Sequence, residues 1–405
     1  MVTERGGRVE VLPLDWHVAL MHPNKGSGPL KPLTIHSKAR STTLFAAVAA
    51  IAALAIPAVA DAKRRGPEVT VMTRNVFLGA DLAPAINAPT ITQAIDGAGV
   101  IWNEMQSTRF ADRARPLARE IKGSKADLVG LQEVALWRKQ TPSDLGGPPV
   151  NPNATSATQV EQDFLAILRS ELKRVGAKYR VVVVQNEFDA ELPVDADGSD
   201  ATGPLGADFD ARLTMRDVIL VRRGSKAKLG KTRKGHFNTR YEPSVGGLPI
   251  PVDRGWASVD ASLRGKKFRF VDTHLEAFGD PAIRAAQAKE LTTGPLKTGK
   301  QVILVGDLNS GIAKHKEPEQ PGDDLAFRAL AGFGMKDNGA VQSCCYDSLF
   351  DPDAIFDHTV DHVLTKPGLK TERAFVTGND RSRRTASGLW PSDHGGVVSR
   401  LRLRK

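Results

Sequence analysis

The chain has 405 residues, of which 41% are hydrophobic and 25% are charged, and its formal net charge is +10. This length and composition exclude a fibrous or wholly disordered chain and suit one large α/β domain or two smaller ones. The positive charge suits a polyanionic partner, such as nucleic acid or an anionic membrane surface. Part of it lies in terminal clusters, 381–384 and 400–405, so charge alone is weak evidence for a substrate.

The N-terminal region has the pattern of an export signal. Basic residues precede an apolar, Ala-rich run that begins at Leu44 and ends in small residues, with cleavage expected after Ala60 or Ala62. We therefore predict a signal peptide over 36–62 and a secreted or cell-envelope protein. The run is short for a membrane span and is interrupted by Pro57, and a retained anchor is the alternative.

Residues 1–35 lie upstream of this signal and have no pattern of a folded unit. We interpret them as a non-structural or over-extended N-terminus. No other apolar stretch reaches spanning length, so we expect no stable membrane span in the mature form.

The first half of the domain is predicted to alternate strands and helices. VTVMTRN (69–75) and ADLVGLQEV (126–134) are apolar runs typical of buried strands, and both end in polar residues. Between them, apolar residues recur at helical spacing over 101–122. A loop, a helix and a strand are predicted next, at 141–158, 159–175 and 179–186.

Residues 187–215 are acidic and contain glycine and proline, so we predict a long solvated loop. Its segment DADGSD (195–200) loosely resembles a calcium-binding loop, but Gly206 stands where a bidentate Glu is required. Many strands with interspersed helices predict one sheet-based α/β domain over 67–405. The later strands are predicted at 217–223, 255–263, 267–274, 302–307, 358–365 and 395–403, with helices at 281–292 and 324–332.

The stretch GPLKTGK (294–300) nearly matches a phosphate-binding P-loop. A P-loop follows a strand and opens a helix, whereas these glycines precede a strand. Gln301 also replaces the Ser or Thr that contacts Mg²⁺. We therefore predict a basic turn here, and an ATPase is excluded.

The only two cysteines are adjacent, Cys344 and Cys345. In an exported protein they suggest a disulfide, although a bridge between neighbours is strained. Two free buried thiols are the competing interpretation, and both stay open. No histidine lies nearby at a suitable spacing in the sequence, so the pair is predicted to be a poor zinc site.

Polar side chains follow six of the predicted strands, at the edge where a sheet commonly binds ligands. Carboxylate and amide oxygens suit Mg²⁺ or Mn²⁺, and a histidine beside a carboxylate suits general acid–base chemistry. Each residue alone has an ordinary explanation as a turn former or helix cap. The set comprises Asn75, Glu133, His274, Asp307, Asn309, Asp361, Asp393 and His394.

These residues stand in motifs that resemble the endonuclease/exonuclease/phosphatase superfamily, the deoxyribonuclease I-like fold. The motifs RNV, LQEV, THLEA, GDLN, VDHVL and SDH follow in the family's order over about 69–401. Each is weak alone, but six in order are highly specific. The resemblance implies a four-layer α/β/β/α sandwich, with two mixed β-sheets flanked by helices, and a metal-dependent phosphoric ester hydrolase over 67–405.

The resemblance also implies a metal site for Mg²⁺ or Mn²⁺. Glu133 would be the main metal ligand, with Asn75 beside it. Asp393 would contact the metal or support the site. Asp307 would orient or deprotonate the attacking water, and Asn309 would hold the phosphate or that water.

Further residues would act on the phosphate. His394, oriented by Asp361, would work at the scissile phosphate, and His274 would donate a hydrogen bond to a phosphate oxygen. Arg216 precedes a strand where some members of the family place a phosphate-contacting arginine. The chain departs from the family at His362, where an aromatic residue is frequent.

We predict an exported phosphodiesterase that uses in-line attack by water and resembles a nuclease in action. A phospholipase C or sphingomyelinase-like enzyme and an inositol or sugar phosphatase are alternatives, because one fold hosts several substrates. A non-catalytic binding module on the same fold is the alternative of another class. It is disfavoured because Glu133, Asp307 and His394 are all present. The expected partner is a phosphodiester, such as nucleic acid or a phospholipid head group, and the expected state is a monomer.

Overall fold

The computed structural model describes residues 66–147, 150–199, 203–311 and 321–404. The predicted signal peptide over 36–62 and the segment 1–35 lie outside the described residues, so both stay predictions. Within the described residues, no helix has the length and apolar character needed to cross a membrane.

The described residues form sixteen strands, which we number in chain order. They are β1 Glu68–Asn75, β2 Leu128–Gln132, β3 Leu136–Gln140, β4 Gln159–Asp163, β5 Tyr179–Val194, β6 Phe209–Arg222, β7 Lys228–His236, β8 Ser244–Val245, β9 Leu248–Pro249, β10 Gly255–Leu263, β11 Lys266–His274, β12 Gln301–Asp307, β13 Lys336–Asp337, β14 Asp361–Lys366, β15 Lys370–Thr377 and β16 Gly396–Arg402.

Six α-helices are described, and side-chain caps begin several of them. Asp163 accepts hydrogen bonds from two backbone N–H groups of the helix that follows it, and Asp280 caps a helix whose first residue is proline. The helices are α1 Ala83–Ile86, α2 Ile91–Ser107, α3 Phe110–Ser124, α4 Phe164–Arg174, α5 Pro281–Thr293 and α6 Leu325–Gly332.

Two large sheets carry the fold. The first pairs its strands in the order β15-β16-β1-β2-β6-β3-β4, and β5 pairs with the other edge of β6; the second has the order β13-β14-β12-β11-β10-β7. Both are mixed, because β1 runs parallel to β2 and β11 runs parallel to β12, whereas the other pairs are antiparallel.

The sheets pack face to face through a buried layer that includes Leu128, Ile219, Phe268 and Phe270. Full burial of side chains of this size stabilises the fold by about 1.5–3 kcal/mol each. Helices α2 to α4 pack on the outer face of the first sheet, and α5 and α6 pack on the outer face of the second. The predicted four-layer α/β/β/α sandwich is therefore confirmed.

Strand register positions the site. In the first sheet Asn75 pairs with Gln132, so the end of β1 lies beside the turn that follows β2. In the second sheet His274 pairs with Asp307, and Asp307 pairs with Asp361. Parallel strands end at the same edge of a sheet, and the antiparallel β14 begins at the edge where β12 ends, so these polar residues stand in a row at one edge.

Three predicted elements differ from the structure. The loop predicted over 187–215 is wrong at both ends, because β5 extends to Val194 and β6 begins at Phe209, and only the part between these strands lies outside them. The acidic composition misled the prediction, since Asp189 on β5 pairs with Arg212 on β6 at 2.8 Å rather than facing solvent alone. The helix predicted over 101–122 is broken before Phe110, and residues 159–163 of the next predicted helix form β4.

Candidate active site

Asn75 joins two carboxylates that belong to different sheets. Its Nδ2 group donates a hydrogen bond to Glu133 Oε1 at 2.9 Å and another to Asp307 Oδ2 at 3.1 Å. Its Oδ1 atom accepts from the backbone N–H of Phe77 at 2.9 Å. In this orientation the amide nitrogen faces the carboxylates, so a direct metal-ligand role for Asn75 stays a prediction.

The turn that carries Glu133 has unusual backbone geometry. Glu133 has a φ of 59°, a left-handed conformation that costs a residue with a side chain about 1–2 kcal/mol. The backbone N–H of Leu78 donates to Glu133 Oε2 at 2.8 Å, and the guanidinium of Arg216 donates to the carbonyl oxygens of Val134 at 2.8 Å and Ala135 at 3.0 Å. These contacts hold the carboxylate of Glu133 at the edge of the sheet.

Asn309 closes the turn after β12. It also has a left-handed backbone, with a φ of 46°. Its backbone N–H donates to Asp307 Oδ1 at 2.8 Å, and its Nδ2 donates to the carbonyl of Leu275 at 3.0 Å. The same Nδ2 lies 3.1 Å from His274 Nε2, so the turn fixes both side chains against the neighbouring strand.

His394 is oriented by Asp361. Its Nδ1 lies 3.0 Å from Asp361 Oδ2, and the hydroxyl of Ser343 donates to the same oxygen at 2.7 Å. A carboxylate at Nδ1 holds the proton on that nitrogen and directs Nε2 away from it. Nε2 faces Asp307 Oδ2 at 3.6 Å.

His274 is held by a buried arginine, Arg254, that the sequence analysis did not identify. Arg254 Nη1 lies 3.0 Å from His274 Nδ1, and its guanidinium pairs with Glu276 at 3.4 Å. Because arginine only donates, Nδ1 must accept, and the proton of the neutral ring lies on Nε2. The 3.1 Å approach of Asn309 Nδ2 to Nε2 is therefore a packing contact between two donors and not a hydrogen bond. That N–H faces Asp307 Oδ2 at 3.6 Å and Glu133 Oε1 at 3.9 Å.

The electrostatics separate the two histidines. Burial lowers the pKa of His274 well below its usual range, and the charges of Arg254 and His394 lower it further. Burial also opposes the charged form of His394, but Asp361, Asp393 and Asp307 outweigh it and raise the pKa of His394 well above its usual range. The site therefore contains one neutral imidazole and one imidazolium.

The donor set suits a hard divalent cation. Carboxylate oxygens of Glu133 and Asp307 lie within 4.8 Å of one another, and the protonated Nε2 of His274 beside them is not a ligand. Burial raises the pKa of Glu133, and the negative charge of Asp393 raises it further; burial likewise raises the pKa of Asp307. A raised pKa means that the site favours neutralisation of these carboxylates, and a bound cation can neutralise them in place of protons.

The remaining two predicted site residues lie at the periphery. Asp393 is half-buried, and its Oδ1 accepts from the hydroxyl of Ser392 at 3.2 Å; its metal-ligand role stays a prediction. Arg216 Nη2 donates to Asp163 at 2.6 Å besides holding the Glu133 turn. The structure gives Arg216 a positioning role, and its contact with substrate phosphate stays a prediction.

A second buried arginine, Arg113 on α3, also escaped the sequence analysis. Its guanidinium donates to the carbonyl oxygens of Val76 at 2.8 Å, Phe77 at 3.1 Å and Pro391 at 3.0 Å. It therefore ties the turn after Asn75 to the turn before His394. An arginine on the buried face of a predicted amphipathic helix was the available signal.

An acidic cleft of about 910 Å³ opens beside Asn309 and the two cysteines. Its wall carries five aspartates, of which Asp323 pairs with Arg284 at 3.0 Å; the other four are Asp347, Asp351, Asp353 and Asp357. Two large apolar side chains stand exposed in the same segment, Phe350 at 52% and Ile355 at 71%.

A sequence model described as the Endonuclease/Exonuclease/phosphatase family matches residues 101–394. The chain belongs to the endonuclease/exonuclease/phosphatase family. Members of this family are phosphoester hydrolases, which agrees with the chemistry of the carboxylate and histidine cluster. No curated protein matches the chain.

Several solved structures of the endonuclease/exonuclease/phosphatase family are similar at low identity. A family protein from Bacteroides thetaiotaomicron is 15% identical over 84% of this chain and 100% of that chain, with a TM-score of 0.47. A mannosyl-6-phosphatase from the same species is 15% identical over 82% and 99%, with a TM-score of 0.46. Truncated Caenorhabditis elegans TDP2 is 16% identical over 83% and 97%, with a TM-score of 0.43. No inference about substrate rests on them.

Proposed function

We propose that the protein is an exported, Mg²⁺- or Mn²⁺-dependent phosphodiesterase that acts in the manner of a nuclease. The central supporting observation is the position of Asp307. Its Oδ2 lies 3.6 Å from Nε2 of both His274 and His394, and Asn75 connects it to Glu133. One carboxylate is thus placed between two imidazoles and beside the candidate cation ligand.

Each residue has a part in the hydrolysis. A divalent cation held by Glu133, with Asn75 and Asp393 beside it, would offset negative charge on the phosphoryl group. Asp307 accepts a hydrogen bond from the attacking water and takes its proton as the P–O bond forms. Asp307 is the proposed base because its carboxylate lies between the two Nε2 atoms.

The two imidazoles serve the phosphate. His274 donates its Nε2–H to a non-bridging phosphate oxygen, because Arg254 holds its proton on that nitrogen. His394, as an imidazolium paired with Asp361, stabilises the charge that develops in the transition state. Asn309 donates to the phosphate or to the attacking water.

A basic groove supports a polyanionic substrate. A cavity of about 650 Å³ lies between α3, α4 and residues 384–387, and its wall carries five arginines and two acids. The acids are paired, since Arg109 contacts Asp112 at 3.0 Å and Arg174 contacts Glu171 at 3.0 Å. The net positive charge of the groove suits phosphate groups along a nucleic acid strand.

The acidic cleft favours a second candidate function. Four carboxylates beside Asn309 would repel a polyanion, and they would attract a phosphodiester with a cationic head group. Exposed Phe350 and Ile355 on the same segment suit contact with a lipid surface. A phospholipase C-type activity is the function that these features favour.

A panel of substrates tests the proposal. The purified protein should cleave bis-p-nitrophenyl phosphate with Mg²⁺ or Mn²⁺, and it should cleave plasmid DNA or RNA faster than phosphatidylcholine or inositol phosphates. EDTA should abolish the activity and excess Mg²⁺ should restore it. Full activity in EDTA would refute the metal-dependent mechanism, and preferential cleavage of the lipid would replace the nuclease with the second candidate.

Export is tested separately. A reporter fused after residue 62 should be secreted by a host cell, and deletion of 36–62 should retain the reporter inside the cell. Retention of both fusions would refute the predicted signal peptide.

A further inference from the structure

The two cysteines lie against the imidazole of His394. Cys344 Sγ is 3.7 Å and Cys345 Sγ is 3.9 Å from His394 Nε2, although 49 or 50 residues separate them in sequence. The structure joins the cysteines by a disulfide. The expectation that the pair lacks a histidine partner is therefore wrong, because the fold supplies one from the turn before β16.

Backbone hydrogen bonds connect the segment 343–346 to the turn that contains His394. The carbonyl of Ser343 accepts from the N–H of Gly395 at 2.5 Å, and the N–H of Tyr346 donates to the carbonyl of Asp393 at 2.9 Å. The hydroxyl of Ser343 also binds Asp361, the carboxylate that orients His394. Both sulfurs are consequently held on the Nε2 side of the ring.

We propose that the reduced Cys344–Cys345 pair and His394 form a binding site for a soft divalent cation such as Zn²⁺ or Cd²⁺, and that its occupation inhibits the hydrolase. The inhibition rests on the proposed function, whereas the binding does not.

The spacing suits such a cation. Tetrahedral Zn²⁺ with Zn–S bonds of about 2.3 Å and Zn–N bonds of about 2.0 Å separates sulfur and nitrogen ligands by about 3.6 Å. The observed separations of 3.7 and 3.9 Å are within a few tenths of an ångström of that value. Thiolate sulfur and imidazole nitrogen are also the donors that Zn²⁺ and Cd²⁺ prefer over Mg²⁺.

The orientation of His394 suits metal binding as well. Asp361 holds a proton on Nδ1, so loss of the second ring proton to solvent frees the lone pair of Nε2, which is the arrangement that supports histidine as a metal ligand. Nε2 lies between the sulfurs and Asp307. A cation bound to the sulfurs and to Nε2 would prevent Nε2 from acting at the substrate phosphate. We therefore expect the cation to inhibit the hydrolase.

Reduction opens the site. A dithiol donates two electrons and two protons to the disulfide, forms its own cyclic disulfide and leaves two thiols on the protein. Zn²⁺ then displaces both thiol protons as the two Zn–S bonds form, and it displaces the Nε2 proton of the His394 imidazolium as the Zn–N bond forms. Cys345 is more open to solvent than Cys344, and both line the acidic cleft, through which the dithiol reaches the sulfurs.

Titration with Cd²⁺ tests the site without any substrate. The full chain is reduced with dithiothreitol, desalted without oxygen and titrated while thiolate-to-metal charge-transfer absorbance is recorded. Reduced protein should develop this absorbance at one cation per chain, and oxidised protein should not. Cys345→Ser and His394→Ala should each weaken binding at least about tenfold. Ser348→Ala, a nearby control, should bind as the reduced wild type does.

Inhibition is measured as the ratio of rates with and without Zn²⁺ for each protein. The Zn²⁺ concentration that inhibits reduced wild type should be at least about tenfold lower than the concentration that inhibits the oxidised protein. The oxidised protein serves as the reference, because its inhibition measures any effect of Zn²⁺ bound at Glu133. Absent charge-transfer absorbance, or equal Cd²⁺ affinity in Cys345→Ser, would overturn the site. If neither variant folds, the comparison of reduced with oxidised wild type decides. If the protein cleaves no phosphodiester, the proposed function fails while the absorbance still decides the site.

Discussion

Asn75 at the end of β1 donates a hydrogen bond to Asp307 at the end of β12, at 3.1 Å, and so connects the two sheets at the candidate active site. The same amide nitrogen binds Glu133 at 2.9 Å. Two buried carboxylates from different layers are thereby held at a fixed separation by a single neutral side chain. The proposed metal ligand Glu133 and the proposed base Asp307 therefore depend on one shared support.

Replacement of Asn75 by Ala should weaken the metal site. Without the amide, Glu133 and Asp307 lose their common hydrogen-bond donor, and their mutual repulsion is no longer offset. We expect the Mg²⁺ concentration for half-maximal activity to rise at least about tenfold, the scale of lost supporting contacts. Hydrolysis of bis-p-nitrophenyl phosphate at increasing Mg²⁺ measures this concentration. Asn103→Ala, at an exposed position of α2, is the control. An unchanged metal requirement would contradict this role.

Replacement of Asp307 by Asn should remove the proposed base while keeping the shape of the side chain. We expect kcat to fall at least about a hundredfold, on the scale of losing general acid–base catalysis. His394→Ala should cause a loss of similar size. Thermal unfolding should show that the variants remain folded, and Asp324→Asn, before α6, serves as a matched control. Retention of more than a tenth of the activity by Asp307→Asn would exclude Asp307 as the base.

Replacement of Arg254 by Met should raise the pKa of His274. Burial, the charge of Arg254 and the charge of His394 together keep that pKa low. Removal of the guanidinium eliminates one repulsive charge and the donor to Nδ1. Titration of the His274 ring followed by NMR in EDTA measures the change.

Arg254→Met also leaves Glu276 buried without its partner, which costs about 3–5 kcal/mol of stability. The double variant Arg254→Met with Glu276→Gln removes that cost and keeps the test of the histidine. Arg240→Met, an exposed arginine near the same strand, is the control. A His274 pKa that stays unchanged or falls in the double variant would contradict the proposed effect of Arg254 on His274.

The sequence predicted the site residues best where carboxylate, amide and imidazole side chains recur at the ends of predicted strands. Asn75, Glu133, Asp307 and His394 were predicted from motifs, and the structure brings all four together. Strands β1, β2 and β12 end at this edge, and His394 reaches it because β16 is antiparallel to β1 and begins there. The role of Arg254 could not be predicted, since its contact with His274 arises from strand pairing between β10 and β11. No local pattern distinguishes it from a surface arginine.

The contact between Cys345 and His394 has the same character. It depends on the hydrogen bonds that strap residues 343–346 to the turn before β16, and sequence spacing carries no information about them. The error at 187–215 had a different cause, since composition was taken as evidence for a loop. Asp189 there belongs to the long β5–β6 pair, where Arg212 on the opposite strand neutralises it.

Stability should depend on pH through Asp217 on β6. Asp217 is fully buried, and burial raises its pKa from 3.8 to about 8. The positive charge of Arg254 opposes this rise, and the negative charges of Glu133 and Asp307 add to it. A carboxyl with a higher pKa in the folded state binds more protons there than in the unfolded chain. The stability it contributes is therefore complete below pH 3.8 and is lost as pH rises to about 8.

Asp217→Asn should reduce this dependence. We expect the slope of the unfolding free energy between pH 5 and pH 8 to become less negative by up to about 1.4 kcal/mol per pH unit, the effect of one proton. Urea unfolding in EDTA at several pH values measures it. At pH 5 Asp217 is protonated and resembles Asn in shape, so the two proteins should have similar stability there. Asp96→Asn should leave the slope unchanged, because Asp96 is exposed on α2. Equal slopes for Asp217→Asn and wild type would show that Asp217 is ionised in the folded protein across this range.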